Sequence, residues 1–282
     1  MISSLLVFRK ESAILDITSL QNPRIKAAFA LSERRERNRT SLFLIEGFRE
    51  LLRAFQGGVQ ILELFFCEEL FLGTNEPFLL KDLEARGVKL YKCSEDAIRK
   101  ISYRDRPDGL VAVASQMHIT LEVVAKHLQE VKNPFLLVAE AIEKPGNLGT
   151  ILRSSDAVGV DAALVCDRCT DIFNPNVVRA SVGTLFTQLV AEVTHQELLP
   201  YLKAKGIAIV AATPHATEEF TKVDLTGPVA IVVGTEQLGL SQHWMESADI
   251  QVRIPMKGCA DSLNVATATT LLLYEVLRQR GQ

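Results

Sequence analysis

The stretch FLLVAEAIEKPGNLGTILRSSDAVGVDAALVC, residues 135–166, shows the pattern that decides the fold of this chain. A short apolar run at 135–139 predicts a strand, residues 147–158 predict a helix, and a second apolar run at 162–166 predicts another strand. Short apolar strands separated by helices indicate a parallel sheet that is covered on both faces.

The same alternation continues toward the end of the chain. Further strands are predicted at 185–190, 207–211, 229–233 and 250–254, and further helices near 176–182, at 195–205, after Ser241 and from Ser262 to Arg278. Residues 133–282 are therefore predicted to form an α/β domain on a parallel sheet. In such sheets ligands bind beyond the carboxyl ends of the strands, so the loops at those ends are the candidate site.

The first half of the chain is predicted to be a second, smaller α/β domain. A length of 282 residues suggests two domains. Within residues 1–117, helices are predicted at 21–35, 48–55 and 77–86, and strands at 41–45, 62–67, 88–91 and 110–114. Residues 118–132 are predicted to be a linker, whose helical pattern stops at Asn133-Pro134.

Composition excludes several classes of protein. The 48% of hydrophobic and 23% of charged residues are ordinary globular usage. No apolar run approaches the roughly 18–20 residues of a membrane-spanning helix, and the N-terminus lacks a signal-peptide pattern, so a cytoplasmic protein without membrane contact is expected. Cys166 and Cys169 have no second Cys or His pair beside them, so no metal site is expected. HExxH and GxSxG motifs are absent, which leaves hydrolase chemistry without support.

Basic residues are concentrated in the first half. Residues 1–117 hold 18 Lys and Arg against 16 Asp and Glu, whereas residues 118–282 hold 13 against 18. Arginine dominates the basic residues between 24 and 53, and its planar guanidinium suits phosphate. A solvated helix face of mixed charge is the alternative. We predict RNA contacts for four arginines of this segment: Arg34, Arg35, Arg37 and Arg39.

Three polar loops that contain glycine follow predicted strands, at 140–153, 234–241 and 254–264. The first is not a Walker A loop, because the GK[ST] ending is absent, and not a Rossmann fingerprint, because the third glycine is missing. Each loop alone has an explanation as a turn or a helix cap. Together, at the strand ends of one domain, they favour a ligand site.

At these loops the sequence resembles the SpoU, or TrmH, family of RNA 2′-O-ribose methyltransferases, a branch of the SPOUT superfamily. The matches are N-x-G-x-I-x-R at 147–153, G-x-E-x-x-G-L-S at 234–241 and I-P-M-x-G-x-x-x-S-L-N-V at 254–265. NVVRASVG at 176–183 resembles the family's intervening R-A-S-x-G element, and we expect its Arg179 to contact RNA. Residues 17–115 more loosely resemble the family's substrate-binding domain, which is similar to a kink-turn-binding ribosomal protein.

The resemblance implies a fold, a cofactor and a reaction. It implies a C-terminal domain that threads a deep trefoil knot, binds S-adenosylmethionine and methylates a ribose 2′-hydroxyl in structured RNA, with ribosomal RNA favoured over transfer RNA. Family members work as homodimers, so a homodimer is expected. Cofactor contacts through backbone groups are implied for Gly234, Ile254 and Leu263. Catalytic roles are implied for Asn147, Arg153, Glu236, Ser262 and Asn264.

By analogy with the family, Arg153 has the central role. Because arginine stays protonated in proteins, we expect it to orient the adjacent phosphate and to stabilise the developing alkoxide, where the family role is sometimes written as general base. Asn147 and Asn264 would hold Arg153 and the ribose. Glu236 would fix its loop through a hydrogen bond from a backbone N–H to its carboxylate, and Ser262 would assist at the hydroxyl.

One segment departs from the family pattern, and two other functions stay open. After SLNV the family continues with small residues such as S-V-A-A-G, whereas this chain has ATATT at 266–270, so a subunit contact could differ. The chain could be an RNA-binding or ribosome-assembly protein that has lost activity; retention of Asn147, Arg153, Glu236 and Asn264 disfavours this. It could also be a nucleotide-binding α/β enzyme unrelated to RNA, which leaves the arginine-rich segment unexplained.

Overall fold

A computed structural model describes residues 14–167, 170–235 and 237–281. The first part of the chain forms a five-stranded sheet with helices packed on it. Its strands are β1 (Leu15–Ile17), β2 (Leu42–Glu46), β3 (Ile61–Phe66), β4 (Lys89–Cys93) and β5 (Leu110–Ser115). Its helices are α1 (Pro23–Ala30), α2 (Arg34–Thr40), α3 (Phe48–Gln56), α4 (Glu76–Ala85) and α5 (Glu95–Ile101). The strand order is β1-β4-β3-β5-β2, with β5 antiparallel to both of its neighbours.

A short helix, α6 (Leu121–His127), leads into a second sheet. The strands of this sheet are β6 (Phe135–Glu140), β7 (Ala162–Cys166), β8 (Val190–Val193), β9 (Ala208–Ala212), β10 (Glu218–Glu219), β11 (Val229–Val233) and β12 (Ile250–Arg253). Its helices are α7 (Pro145–Ala157), α8 (Pro175–Ala180), α9 (His195–Ala204), α10 (Gln242–Ser247) and α11 (Val265–Gln279). The order is β10-β12-β9-β11-β6-β7-β8, and every pair is parallel.

Helices cover both faces of the parallel sheet, because its central strands are apolar on both sides. Helices α7, α8 and α11 pack on one face, and α6, α9 and α10 on the other. The predicted α/β class with a parallel C-terminal sheet is confirmed, while the trefoil knot stays a prediction. None of the helices in the described ranges combines the length and the apolar character needed to cross a bilayer.

The apolar core does not stop at the predicted boundary between the domains. Phe43 of β2 lies with its ring centroid 4.8 Å from that of Phe173 and 5.7 Å from that of Phe186, both in the segment around α8. Arg53 of α3 donates a hydrogen bond to the Val182 carbonyl. The two sheets therefore share one continuous core, and the limits 1–117 and 133–282 stay a prediction.

Several predicted elements differ from the structure. The strand predicted at 185–190 is wrong, because residues 184–186 form a 3₁₀ turn and the strand begins at Val190. The helix predicted at 21–35 is two helices separated by residues 31–33. The last helix begins three residues later than Ser262, since the Asn264 side chain accepts the N–H groups of Ala266 and Thr267 and so caps it.

Candidate active site

The three glycine-containing loops meet at the carboxyl edge of the parallel sheet. β6, which leads into the first loop, pairs directly with β11, which leads into the second. A cleft lies between them and the start of α11. It is lined by Ile142, Glu143, Lys144, Asn147, Thr235, Gln237, Leu238 and Val265. Residues far apart in the sequence therefore form one site, where open parallel sheets bind ligands.

A pair of asparagines joins the first loop to the third. Asn264 accepts the N–H groups of Ala266 and Thr267 at 3.0 and 3.4 Å through its side-chain oxygen. Its side-chain nitrogen donates to the Asn147 side-chain oxygen at 3.2 Å. The cap of α11 thus also positions Asn147 in the first turn of α7, so the structure brings these two predicted residues together.

Arg153 lies on a different side of α7. Six residues after Asn147, it is about 240° further around the helix axis, and it does not line the cleft. Its side chain is exposed and, within the described ranges, forms neither a hydrogen bond nor an ion pair. Next to it, the Ser154 hydroxyl lies 2.7 Å from the Thr270 hydroxyl of α11. The Arg153 guanidinium is thus available to a ligand or a second subunit near α11.

The second loop is a tight turn. Thr235 and Gly239 exchange two backbone hydrogen bonds of 3.0 Å, with Gly239 at a φ of +68°. A Cβ on buried Gly234 would lie 2.3 Å from the Gly239 carbonyl oxygen, so only glycine fits there. Glu236, predicted to be catalytic, lies outside the described residues, and its role stays a prediction.

Glu140, for which no role was predicted from the sequence, fixes the end of this second loop. Its carboxylate, only 5% exposed at the end of β6, accepts the Ser241 N–H at 2.8 Å. This contact joins the first and second loops. An acidic residue that ends the otherwise apolar run FLLVAE was the available signal, because a buried carboxylate needs hydrogen-bond donors.

The third loop offers an unpaired backbone. From Ile254 to Leu263, no backbone N–H or carbonyl forms a hydrogen bond with another described residue. Ile254 and Leu263 are half-buried and Ser262 is exposed. Backbone groups in contact with solvent are hydrated, so the free groups of this loop can bind a ligand in place of water. This stretch therefore fits a cofactor that is held through main-chain groups, as implied for Ile254 and Leu263. No cluster of metal-ligating side chains occurs in the part of the chain that the structure describes.

The arginines predicted to bind RNA separate into two kinds. Arg34 and Arg35 are exposed on α2, and Arg39 is exposed but pairs with Glu36 at 2.5 Å. The prediction for Arg37 is wrong. Its side chain is 1% exposed, pairs with Asp171 at 2.6 Å and donates to the Leu31 and Ser32 carbonyls.

Helical geometry explains the error at Arg37. Alternate residues share a face in a strand but lie about 200° apart in a helix, so Arg37 points inward where Arg35 and Arg39 point outward. Arg179, the arginine of the R-A-S-x-G element, is exposed near Tyr103 and donates to the Asn176 side chain at 2.8 Å.

Comparisons with known proteins agree with this geometry. A family model described as "SpoU rRNA Methylase family" matches residues 134–274, and one described as "MRM3-like substrate binding domain" matches residues 22–112. RlmP of Bacillus subtilis, a 23S rRNA (guanosine(2553)-2′-O)-methyltransferase, is 29% identical, over 92% of this chain and 98% of its own length.

Two solved structures share the whole fold. An RNA 2′-O ribose methyltransferase is 42% identical, with a TM-score of 0.83 over 95% of this chain and 100% of its own. An AdoMet-bound rRNA methyltransferase from Sinorhizobium meliloti is 30% identical, with a TM-score of 0.84 over 94% of this chain and 98% of its own. These matches confirm the family predicted from the three loop motifs: the chain belongs to the SpoU rRNA methylase family.

Proposed function

We propose that this chain is an S-adenosylmethionine-dependent methyltransferase that methylates a ribose 2′-hydroxyl in ribosomal RNA. The observation that carries the proposal is the joining of the first and third loops by the Asn264 to Asn147 hydrogen bond, beside a third loop with an unpaired backbone. The substrate-binding domain matched at residues 22–112 and the ribosomal RNA substrate named for RlmP support the choice of RNA.

The cofactor would be held by main-chain groups of Gly234, Ile254 and Leu263. When bound, S-adenosylmethionine supplies an electrophilic methyl group, so the protein must mainly position and activate the 2′-hydroxyl. The tight turn after Gly234 and the fixed Ser241 N–H keep the second loop in one conformation. The first and second loops are therefore tied to each other before the donor binds.

The side chains of the cleft would act on the RNA. Asn147 and Asn264 would hold the ribose, and exposed Ser262 would assist at its hydroxyl. Glu236 would help to fix the second loop. The Arg153 guanidinium stays charged, so it would bind the adjacent phosphate and stabilise the alkoxide as the hydroxyl loses its proton.

We also propose that the active form is a homodimer. Arg153 lies outside the cleft of its own chain, on a surface that continues from α7 to α11 through the contact between Ser154 and Thr270. α11 exposes Leu271 and Tyr274, which are 41% and 47% accessible. A second copy seated on this surface would cover these apolar side chains and supply Arg153 to the neighbouring cleft. The cytoplasm, where such RNA would be met, remains the expected location.

A substitution at Asn264 tests the proposed activity. In Asn264→Asp the carboxylate still accepts the Ala266 N–H, so the cap of α11 is kept, but the donor to Asn147 is lost. We expect an unchanged melting temperature and a roughly 10- to 100-fold lower rate of methyl transfer from tritiated S-adenosylmethionine to a 23S rRNA transcript. Lys203→Ala is the control, because this exposed residue lies in the last turn of α9, at the amino edge of the parallel sheet and thus opposite to the loops.

The position of the methyl group identifies the reaction. A 2′-O-methylated nucleotide resists alkaline hydrolysis, because the free 2′-hydroxyl is the nucleophile of that cleavage, so the label should be recovered in alkali-resistant dinucleotides. Calorimetry with S-adenosylmethionine separates the alternatives. If S-adenosylmethionine does not bind, the proposed methyltransferase activity is contradicted. If it binds but no methyl group is transferred, the alternative of a protein that binds RNA without modifying it is favoured.

A further inference from the structure

An aromatic side chain lies exposed where the two halves of the molecule meet. Tyr103, in the loop between α5 and β5, is 53% exposed. The guanidinium of Arg179, from α8, lies over its ring at 5.9 Å from the centroid. A phenol and a guanidinium in this arrangement are two flat groups on which a nucleobase can stack.

The backbone around Tyr103 is fixed by buried carboxylates. Glu46, at the end of β2, accepts the Tyr103 N–H at 2.7 Å and the Arg104 N–H at 3.3 Å. The Arg104 guanidinium pairs with Glu50 at 2.6 Å and with Asp108 at 3.3 Å. The loop is therefore held through its main chain and through Arg104, and the Tyr103 ring takes no part in holding it.

The same surface continues to the first catalytic loop. Arg179 donates to the Asn176 side-chain oxygen at 2.8 Å. The side-chain nitrogen of Asn176 lies 3.7 Å from the position that a Cβ on Gly146 would occupy. Gly146 precedes Asn147, which lines the cleft. A chain of contacts thus leads from the cleft through Asn176 and Arg179 to Tyr103.

We propose that Tyr103 and Arg179 form a stacking site for an unpaired base of the RNA near the nucleotide that is methylated. Sequence-specific RNA recognition targets unstacked bases of loops and bulges, so an enzyme that selects one ribose in structured RNA gains selectivity by binding such a base. The Tyr103 ring lies on the surface that leads from the cleft, its backbone is held by Glu46, and it binds a base without charge. The inference rests on the proposed function, since it names the part of the RNA that the site would take.

Substitutions of Tyr103 test the stacking site. Tyr103→Ala removes the ring and keeps the backbone N–H that binds Glu46, so the melting temperature should not change. We expect about tenfold higher KM for the 23S rRNA transcript and about tenfold weaker RNA binding in a filter assay, which is the size of the effect of one lost base stack. The KM for S-adenosylmethionine should stay the same, because the ring lies outside the cofactor loops.

Matched variants separate stacking from other causes. Tyr103→Phe and Tyr103→Trp keep a ring and should retain RNA binding within twofold of the original protein, and Phe78→Ala removes another exposed ring, 65% accessible, on α4. Equal effects of Tyr103→Ala and Phe78→Ala, or equal losses in Tyr103→Phe and Tyr103→Ala, would overturn the proposal. Filter binding needs no S-adenosylmethionine, so a protein that binds RNA without methylating it would contradict the proposed activity but leave this comparison intact.

Discussion

Single arginines in this chain have opposite roles that their spacing in the sequence does not reveal. Arg37 and Arg39 belong to the same short, arginine-rich helix. Arg37 is buried against Asp171, and Arg39 lies in solvent beside Glu36. The first connects α2 to the second half of the molecule. The second contributes little to stability, because an exposed ion pair is worth less than about 1 kcal/mol.

Arg37→Met should lower the free energy of unfolding by about 3–5 kcal/mol, because it leaves the Asp171 carboxylate buried without its partner. Arg39→Met, two residues further along the same helix, should leave the free energy of unfolding almost unchanged, because its ion pair with Glu36 is exposed. Urea denaturation of the two variants measures both values. Similar costs for the two substitutions would show that Arg37 is not a structural residue.

A second arginine, Arg104, lies beside two buried carboxyl groups whose ionisation makes the stability of the protein depend on pH. Burial raises the pKa of Glu46 and of Glu50 above their ordinary value of 4.5, and Arg104 opposes that rise. Between the unfolded and the folded pKa the folded protein binds more protons, so these groups lower the free energy of unfolding as the pH rises through that window. Arg104→Met should raise both pKa values further.

The cost of Arg104→Met should therefore be largest above the folded pKa values of the two carboxyl groups and shrink toward pH 4. At neutral pH we expect a loss of about 2 kcal/mol, smaller than for a fully buried pair because Arg104 is partly exposed. Urea titrations of the variant and the original protein from pH 4 to pH 8 measure the difference. A loss that does not vary with pH would contradict this account.

At the scale of elements, helix α7 carries the first catalytic loop and is seated by close contact with α8. A Cβ on Gly149 would lie 2.6 Å from the Ala180 Cβ and 2.7 Å from the Val177 carbonyl oxygen. This close approach sets the distance between α7 and α8. Because Asn147 lies in the first turn of the same helix, the packing of α7 on α8 also sets the position of Asn147.

Gly149→Ala should destabilise the protein by about 1–3 kcal/mol, even though alanine favours helix over glycine by about 1 kcal/mol. The Gly146→Ala control meets its nearest atom at 3.7 Å, which is ordinary contact, so the helix propensity should dominate and leave stability unchanged or slightly higher. Thermal denaturation compares the two variants. A higher melting temperature for Gly149→Ala would mean that α8 moves away from α7 at little cost.

The sequence predicted most of the elements and part of the site, whereas β1 and α5 were not predicted and the strand at 185–190 was wrong. Alternating apolar runs correctly indicated the parallel sheet, because its central strands β6, β7, β9 and β11 are buried on both faces. Asn147 and Asn264 were found only by resemblance, since their hydrogen bond joins residues 117 positions apart. Glu140 and Tyr103 were missed for the same reason. What makes each distinctive is a partner from another part of the chain, Ser241 for the first and Arg179 for the second.

At the scale of the whole molecule, the two sheets act as one body. Asp171, Phe173, Val182 and Phe186 belong to the second half by sequence, yet they contact α2, β2 and α3 of the first half. On the same face of the parallel sheet, α8 packs against the first half, whereas α7 and α11 together leave a surface that is open to solvent. That surface holds Arg153 and the exposed apolar residues of α11.

We expect light scattering to give twice the chain mass of 31.2 kDa for the original protein. Leu271→Asp combined with Tyr274→Asp places charges on the exposed face of α11 and should yield monomers with at least tenfold lower methyl transfer, because Arg153 would no longer reach a neighbouring cleft. Phe78→Ala serves as the control, since it alters an exposed ring elsewhere. A monomeric original protein with full activity would rule the homodimer out.

The packing of the α8 segment sets a limit on recombination between relatives. A chimaera with a substitute RNA-binding half, joined at the linker, would keep Asp171 without its arginine and present Phe173 and Phe186 to a foreign surface. Gly183 would also meet a new helix in place of α3, against which it packs so closely that an added Cβ would lie 2.9 Å from the Glu50 α-carbon. To exchange target specificity, residues 171–186 must therefore be transferred together with the N-terminal half, even though they belong to the catalytic half by sequence.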